Sequence, residues 1–184
     1  MNYQEASLTA ASVIKHLSPF CNRIEVAGST RRLKADYIRD VEVVCIPKVV
    51  FDDGLFGPEN HRPDPGFVAK VKSWEKVKGE PDGKYTQRIL PNGVKLDLFI
   101  ATPENWGMIY LIRTGSSDWV PKQILRRFRQ RGFKCEGGVP RHLKTGEQLH
   151  FREEADVFSY LGLEFVPPNL REPGFVPKTL EVSA

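Results

Sequence analysis

Three acidic residues stand in hydrophobic, strand-like segments, where a carboxylate is costly to bury. Asp40 and Glu42 lie in "DVEVVCIP", and Asp97 lies in "VKLDLFI". Side chains alternate along a strand, so Asp40 and Glu42 share one face while Val41 and Val43 point into a core. If the two strands are neighbours, the three carboxylates converge, and such oxygen ligands favour Mg²⁺ or Mn²⁺. The pattern is therefore typical of a divalent metal site.

A pair of such metals would support phosphoryl transfer. Two metals about 3.5–4 Å apart clamp the attacking and leaving oxygens of an in-line phosphoryl displacement. The alternative explanation is structural. Asp40 would cap a turn, and Glu42 would lie on a solvated strand face. Asp97 would pair with Lys95 or Arg88, because a buried charge needs a partner. The carboxylates alone leave both explanations open.

A cationic turn, "GSTRR" at residues 28–32, precedes the first two carboxylates. Gly28 permits a close backbone approach. The Ser29 hydroxyl and the neighbouring amides can donate to phosphate oxygens. Arg32 supplies a planar fork that suits a phosphate. The turn favours the metal explanation, because it predicts a triphosphate grip beside the metal site.

The elements that must position these residues form an α+β pattern. A mixed sheet with helices, followed by a smaller second lobe, is the arrangement that this order favours. The Asn92-Gly93 pair predicts a tight hairpin turn. The pattern predicts helices at 5–17, 67–74, 103–113, from the "TGSS" break to Arg131 and at 153–161, strands at 23–28 and 40–47, a hairpin over 84–101, an irregular insertion at 48–66, and short strands in "GFKCE", "VPRHL" and "EQLHF".

Composition limits the class of protein. The chain has 184 residues, of which 40% are hydrophobic and 27% charged, as in ordinary globular proteins. Cys21, Cys45 and Cys135 are widely spaced with no CxxC, which favours reduced thiols over a disulfide framework. The start "MNYQEASLTA" is unlike a signal peptide, and no apolar run approaches about 18 residues. We therefore expect a cytoplasmic or intracellular protein that is not secreted and has no membrane partner.

The positive charge is concentrated in the C-terminal part of the chain. Residues 122–152 contain nine Lys or Arg against two acids, in a chain of net charge +4. Within this stretch, Lys122, Arg126 and Arg129 fall at i, i+4 and i+7 of a helix that Pro121 can begin. Such a ridge suits the phosphates of a nucleic acid backbone. A plain solvated helix face is the alternative.

The order of these motifs resembles a known family. "GSTRR…DVEVV" followed by "KLDLFIATPENWGMIYLIRTGS" is similar to the palm of the family X, DNA polymerase beta-like enzymes of the nucleotidyltransferase superfamily. "RRFRQRGFK" and "EEADVFSYLGLEFVPPNLREP" resemble their thumb. The resemblance implies a nucleotidyltransferase palm, a mixed sheet with helices on one face, plus a small α/β thumb subdomain. It implies that residues 1–113 are an N-terminal helix and palm, and that residues 114–184 are the thumb-like subdomain.

The resemblance also implies roles for individual residues. Family polymerases usually carry Asp where Glu42 stands, although the wider superfamily accepts either residue. Two Mg²⁺ ions, for which Mn²⁺ can substitute, would be held by the catalytic carboxylates Asp40, Glu42 and Asp97. The incoming nucleotide would be bound by Gly28, Ser29, Arg32, Thr114, Gly115 and Ser116. DNA would be bound by Lys122, Arg126 and Arg129.

The resulting expectation is a monomeric DNA nucleotidyltransferase. It would add nucleotides from a nucleoside triphosphate to the 3′ end of a primer-template or gapped duplex, with release of pyrophosphate, in gap filling or end processing during repair. The reduced palm-plus-thumb layout is known in a viral family member, so a viral or phage source is included in the expectation. Two alternatives stay open: template-independent transfer onto a nucleic acid end or a protein, and a weakly active palm that serves as a DNA-end binding module.

Overall fold

The computed structural model describes residues 1–35, 37–52 and 60–180. No helix within these ranges is both long enough and apolar enough to cross a membrane. The helices are α1 (Tyr3–Leu17), α2 (Gly28–Arg31), α3 (Pro65–Lys72), α4 (Trp106–Thr114), a π-helix (Val120–Leu125), α5 (Arg126–Gln130) and α6 (Glu154–Leu161). The strands are β1 (Cys21–Val26), β2 (Val41–Pro47), β3 (Val49–Asp52), β4 (Asn60–Pro63), β5 (Glu75–Gly79), β6 (Tyr85–Ile89), β7 (Lys95–Ile100), β8 (Phe133–Glu136) and β9 (Val139–His142).

The first compact unit comprises Met1–Val26 and Ala35–Ala101. Its sheet has the strand order β1-β2-β7-β6-β5. Strands β2 and β7 are parallel, and the other neighbouring pairs are antiparallel. Helices α1 and α3 contribute apolar side chains to a core that also contains Val41 and Val43. The predicted α+β class is confirmed, and the two valines point into the core as their alternation with the carboxylates predicts.

One prediction of local structure in this unit is wrong, and one strand was not predicted. The insertion at residues 48–66 is not irregular throughout, because β3 and β4 pair antiparallel and α3 begins at Pro65. The β-branched start of β3 outweighs the turn residues that follow it; residues 53–59 of the insertion lie outside the described ranges. The pattern also failed to predict β5, whose residues are mostly exposed. A solvated edge strand has no apolar alternation to detect.

The second compact unit comprises Ala27–Lys34 and Thr102–Ala184. Its core includes Met108 and Leu111 of α4, Trp119 before the π-helix, and Phe128 of α5. The antiparallel pair β8 and β9 confirms the strands predicted in "GFKCE" and "VPRHL". The strand predicted in "EQLHF" is wrong, because that segment makes only an isolated bridge, from Gln148 to Arg141. The domain boundary at residues 113 and 114 stays a prediction, since packing does not decide where functions divide.

The helix predicted to run to Arg131 contains a π-helical turn. The π-helix continues directly into α5, and the N–H of Arg126 bonds the carbonyl of Pro121, five residues earlier. Pro121 has no N–H to donate, so a position in the first turn costs no hydrogen bond. A π-turn changes the rotation per residue, and such turns are frequent at functional sites. The spacing of side chains along this helix therefore departs from a regular α-helix.

Candidate active site

The register of two parallel strands brings two of the predicted carboxylates together. Glu42 of β2 lies directly opposite Asp97 of β7 in the ladder. Asp40 stands one residue before β2 begins, and all three side chains are half-buried. The condition for convergence, that the two strands are neighbours, is therefore met. Whether the three residues act as metal ligands stays a prediction.

Asp97 is held by neutral donors from the neighbouring strand β6. The Tyr85 hydroxyl and the Gln87 side-chain amide each donate to its Oδ1 at 2.6 Å. The structural alternative paired Asp97 with Lys95 or Arg88. Arg88 instead donates to Thr86 Oγ1 at 3.0 Å, within the buried part of the same strand. Neutral donors fix the orientation of a carboxylate and leave its negative charge in place.

The negative charge of Asp97 affects the pKa of Asp40. Burial raises the pKa of Asp40, and repulsion from Asp97 raises it further, against smaller lowering effects of Lys95 and Arg39. Two neighbouring carboxylates create a negative potential that a cation relieves. The first unit therefore places Asp40 and Asp97 close enough for their charges to interact, as expected at a cation site.

This donor set fits a hard divalent ion in its chemistry. All the predicted ligands are carboxylate oxygens, which suit Mg²⁺ and Mn²⁺. Within the described ranges, no group of three or more His, Cys, Asp or Glu is already gathered as a metal site. The fit rests on the register of Glu42 with Asp97 and on the repulsion between Asp97 and Asp40. An ion bound by all three carboxylates would have to draw Asp40 towards Glu42 and Asp97.

The predicted phosphate turn is a single turn of helix in the second unit. Helix α2 begins at Gly28, whose φ of 61° is the left-handed region that glycine tolerates without strain. The N–H of Arg32 closes the turn on the carbonyl of Gly28 at 3.1 Å. Leu33 follows with φ of 58°, which costs about 1–2 kcal/mol for a residue with a Cβ. The local backbone is thus held in a conformation that its own sequence does not favour.

Arg32 connects several of the residues predicted to bind the nucleotide. Its Nη1 donates to the Thr114 carbonyl at 2.7 Å, and its Nη2 donates to Ser29 Oγ at 3.2 Å. Its Nε donates to Glu172 Oε1 at 2.6 Å, and only 8% of the Arg32 side chain is exposed. The structure therefore brings Ser29, Arg32 and Thr114 together. Glu172 is an additional partner; it lies in the thumb-like motif that ends in "NLREP", but no role was assigned to it.

The Thr114-Gly115-Ser116 segment ends helix α4. A Cβ on Gly115 would lie 2.5 Å from Cγ2 of Val120, so the residue must be glycine for the π-helix to pack this closely. The Ser116 hydroxyl accepts the N–H of Trp119 at 3.2 Å and so leads the chain into the next helix. The segment predicted to lie beside the nucleotide sugar and base is therefore rigidly connected to the helix that follows it.

A buried charge network underlies this region, and no sequence motif predicted it. Arg31 donates to Glu154 through two bonds of 2.8 and 2.7 Å and to Thr114 Oγ1 at 2.7 Å. Arg171 pairs with the same carboxylate, and the guanidinium of Arg31 lies 3.6 Å from the centre of the Tyr110 ring. Arg31 and Glu154 are separated by 123 positions, so only the fold brings them together. The available signal was a second arginine after Ser29 with no assigned role.

The pKa values in this network follow from burial and pairing. Burial alone would raise the pKa of Glu154, but the hydrogen bonds from Arg31 and Arg171 outweigh it and lower that pKa. Burial lowers the pKa of Arg171, and Glu154 offsets part of that effect. Both groups are ionised at neutral pH, since an arginine stays protonated even when its pKa falls. The Glu154 carboxylate is therefore paired with two guanidinium groups, while Nη2 of Arg171 is buried without a hydrogen-bond partner among the described residues.

The predicted DNA-binding residues lie on exposed parts of the π-helix and α5. Lys122 and Arg126 line a shallow groove together with Gln123, Arg127 and Gln130. Arg129 is exposed as well but does not line that groove. Burial lowers the pKa of Arg127, and the nearby cations Arg131 and Arg126 lower it further. The three predicted cations are therefore all exposed, and two of them share a groove, while their binding to DNA stays a prediction.

Comparison with known proteins supports a polymerase-type fold. Residues 110–172 match the family described as DNA polymerase beta thumb. A crystal structure of polymerase beta from Leishmania infantum, a ternary P/T complex, matches with a TM-score of 0.67 and 18% sequence identity, over 94% of this chain and 77% of that chain. No curated protein sequence matches the chain. The predicted resemblance to family X is confirmed: the chain is DNA polymerase beta-like in the fold of its described residues and in the sequence of residues 110–172.

Proposed function

We propose that the protein is a metal-dependent DNA nucleotidyltransferase that adds nucleotides to a DNA 3′ end. The observation that carries the proposal is the carboxylate arrangement of β2 and β7. Glu42 faces Asp97 in the ladder, and Asp97 raises the pKa of Asp40. Carboxylates held close enough to repel each other are an arrangement expected where a cation and a charged substrate bind. The thumb match of residues 110–172 supports DNA as the substrate.

The reaction joins the primer 3′-oxygen to the α-phosphorus of a nucleoside triphosphate and breaks the bond to pyrophosphate. Asp40, Glu42 and Asp97 would hold two Mg²⁺ ions, for which Mn²⁺ can substitute. Bound there, the metal supplies a Lewis acid that stabilises charge on the reacting oxygens. Ser29 and Arg32 donate to the phosphates and stabilise the charge that develops on the leaving pyrophosphate.

The remaining residues orient the substrates. Thr114, Gly115 and Ser116 would lie beside the sugar and base of the nucleotide, on a segment fixed by Arg32 and by Trp119. Lys122, Arg126 and Arg129 would contact the DNA backbone, where phosphate contacts position a protein without reading sequence. A positioned nucleotide and primer convert a two-substrate encounter into a reaction within one complex. Gap filling or end processing is the setting that this chemistry suits.

A primer-extension assay on blunt, gapped and single-stranded DNA, with each nucleotide and with Mg²⁺ or Mn²⁺, tests the proposal. We expect extension on gapped duplex that Asp97→Asn abolishes. Equal extension on single-stranded DNA without base choice would show template-independent transfer instead. Metal-independent DNA binding without any incorporation would identify a DNA-end binding module and overturn the proposal.

A further inference from the structure

The side chain of Arg32 is fixed on several sides before any ligand binds. A guanidinium has five N–H donors in one plane. The hydrogen bonds to Glu172, to the Thr114 carbonyl and to Ser29 use one donor each on Nε, Nη1 and Nη2. One further N–H is left on each terminal nitrogen. A donor on each terminal nitrogen of a guanidinium can bind a phosphate through two parallel hydrogen bonds.

Glu172 makes the shortest of the three contacts, at 2.6 Å to Nε of Arg32. Its own position is set by its neighbour in the chain, since Arg171 is fully buried and donates from Nε to the Val166 carbonyl at 2.9 Å. Arg171 also pairs with Glu154. The Glu172 carboxylate is one-third exposed. Glu172 thus accepts a hydrogen bond from Nε of Arg32, and both terminal nitrogens keep a donor for a phosphate.

We infer that Glu172 is a positioning residue, which holds Arg32 in the orientation that grips the triphosphate; this inference rests on the proposed function. An arginine side chain loses rotamer freedom when it binds, and a guanidinium that is already oriented loses less. Glu172 therefore raises triphosphate affinity through geometry. Its negative charge acts in the opposite direction, because it repels the phosphates.

The opposing effects of geometry and charge can be separated by substitution. Glu172→Gln keeps an acceptor oxygen for the Nε–H and removes the charge, whereas Glu172→Ala removes both. Binding of dATP in Mg²⁺, measured by titration calorimetry, should weaken about tenfold in Glu172→Ala. It should stay within about twofold of wild type in Glu172→Gln. Glu164→Ala, which removes an exposed glutamate of the same unit, is the control and should leave affinity unchanged.

A double-mutant cycle shows that Glu172 acts through Arg32. In an Arg32→Lys background, Glu172→Ala should no longer weaken dATP binding, because lysine has no planar fork to orient and only the repulsion of Glu172 is removed. The Nε–H signal of Arg32 in ¹⁵N-edited NMR reports the contact without any ligand. It should be protected from exchange in wild type and lose that protection in Glu172→Ala.

The outcomes distinguish a failure of the role of Glu172 from a failure of the proposed function. If wild type binds dATP and Glu172→Ala binds it equally well, the positioning role of Glu172 is overturned and the proposed function is not. The same conclusion follows if Glu172→Ala weakens dATP binding as much in the Arg32→Lys background as in wild type. If wild type binds no dATP while the Arg32 signal is protected, the proposed function fails, and the positioning role falls with it. Three results together support the inference: weaker dATP binding in Glu172→Ala, near-wild-type affinity in Glu172→Gln, and no weakening by Glu172→Ala in the Arg32→Lys background.

Discussion

Two carboxylates of this protein, Asp40 in the first unit and Glu154 in the second, have pKa values shifted in opposite directions. Burial favours the neutral form of both. Glu154 receives hydrogen bonds from two guanidinium groups, which lower its pKa despite the burial. Asp40 instead feels a second carboxylate, Asp97, and the lowering effects of Lys95 and Arg39 do not offset it. The same chemical group is therefore stabilised in one unit and left under repulsion in the other.

The difference distinguishes a carboxylate paired within the protein from carboxylates that fit a cation site. The Glu154 carboxylate is paired with Arg31 and Arg171, and the contacts of Arg31 with Glu154 and Thr114 hold α2, α4 and α6 together. In the first unit, Asp97 accepts hydrogen bonds from the neutral donors Tyr85 and Gln87, and its charge raises the pKa of Asp40. Carboxylates placed close enough to repel each other are expected where an external cation binds. Substitutions in the two units should therefore have different consequences, for transfer in the first and for stability in the second.

The largest effect is expected at Asp97. Asp97→Asn keeps an oxygen in the place of Oδ1, which accepts from both Tyr85 and Gln87, and removes only the charge. Transfer should fall about 10³-fold, because metal stabilisation of transition-state charge is worth several kcal/mol. Nucleotide incorporation in saturating Mg²⁺ measures the effect. DNA affinity and the melting temperature should stay near wild type.

Asp82→Asn makes the same change in charge at an exposed position of the first unit and serves as the control. It should leave transfer unchanged. An Asp97→Asn protein that retains activity within about tenfold of wild type would contradict the assignment of Asp97 as a metal ligand.

Glu154 should show the opposite behaviour, a large loss of stability. Its side chain is 6% exposed, and Glu154→Gln leaves the guanidinium groups of Arg31 and Arg171 without their anion. Removing one partner of a buried ion pair typically costs about 3–5 kcal/mol. Urea unfolding at pH 7 measures the loss, with Glu164→Gln as an exposed control. A loss below about 1 kcal/mol would show that the network is not structural.

The stabilising effect of Glu154 should depend on pH. Its pKa in the folded protein lies below the ordinary value of 4.5, so the folded state favours the ionised form. Its contribution is therefore complete above the unfolded pKa and is lost as pH falls through the folded pKa. The difference in unfolding free energy between wild type and Glu154→Gln should shrink steadily on acidification below pH 4.5. A difference that stays constant to lower pH would contradict the lowered pKa.

Local patterns predicted the elements that carry the carboxylates. The alternation in β2, the hairpin turn at Asn92-Gly93 and the run around Asp97 each depend on neighbours in sequence, and the structure confirms the adjacent strands. The polar edge strand β5 and the π-helix gave no such signal. An edge strand has no buried face to reveal it, and a π-turn depends on packing around Gly115 and Pro121.

The site was predictable where its residues are close in sequence and hidden where they are not. Ser29 and Arg32 could be assigned from their shared turn. The partner of Arg32, Glu172, lies 140 positions away, and the partner of Arg31, Glu154, lies 123 positions away. Contacts of that separation follow from the complete fold and leave no local pattern. The sequence thus indicated candidate residues for the chemistry and missed the residues that contact them across the fold.

At Glu42, substitution is expected to reduce transfer less than it does at Asp97. If Glu42 is a ligand whose longer side chain displaces the ion, Glu42→Asp should keep or raise activity. Glu42→Gln, which keeps the length and removes the charge, should lose about 10²-fold or more. Mn²⁺ should support faster incorporation than Mg²⁺ in wild type, because Mg²⁺ demands near-ideal octahedral geometry. A fully active Glu42→Gln protein would show that Glu42 binds no metal.

The smallest effects concern the basic surface of the second unit, where positive charges stand close together as the carboxylates do in the first. Lys122 and Arg126 share a groove, and Arg129 lies outside it. Removing one phosphate-binding cation should flatten the slope of log affinity against log salt by about 0.9 on duplex DNA. The Lys122→Ala, Arg126→Ala double variant should therefore lower the slope by up to about 2, and Arg129→Ala by up to about 1.

Fluorescence anisotropy of a labelled gapped duplex over a salt series measures these slopes. The control is a Lys15→Ala, Lys72→Ala variant, which removes two exposed cations of the first unit and should leave the slope unchanged. All duplex sequences should weaken alike, because phosphate contacts carry no sequence information. The affinity for a nucleoside triphosphate should stay at the wild-type value, since the proposed contacts to it come from Ser29 and Arg32. If Arg129→Ala flattens the slope and the double variant does not, the DNA contacts Arg129 and not the groove of Lys122 and Arg126. If neither variant changes the slope, this basic surface binds some partner other than DNA.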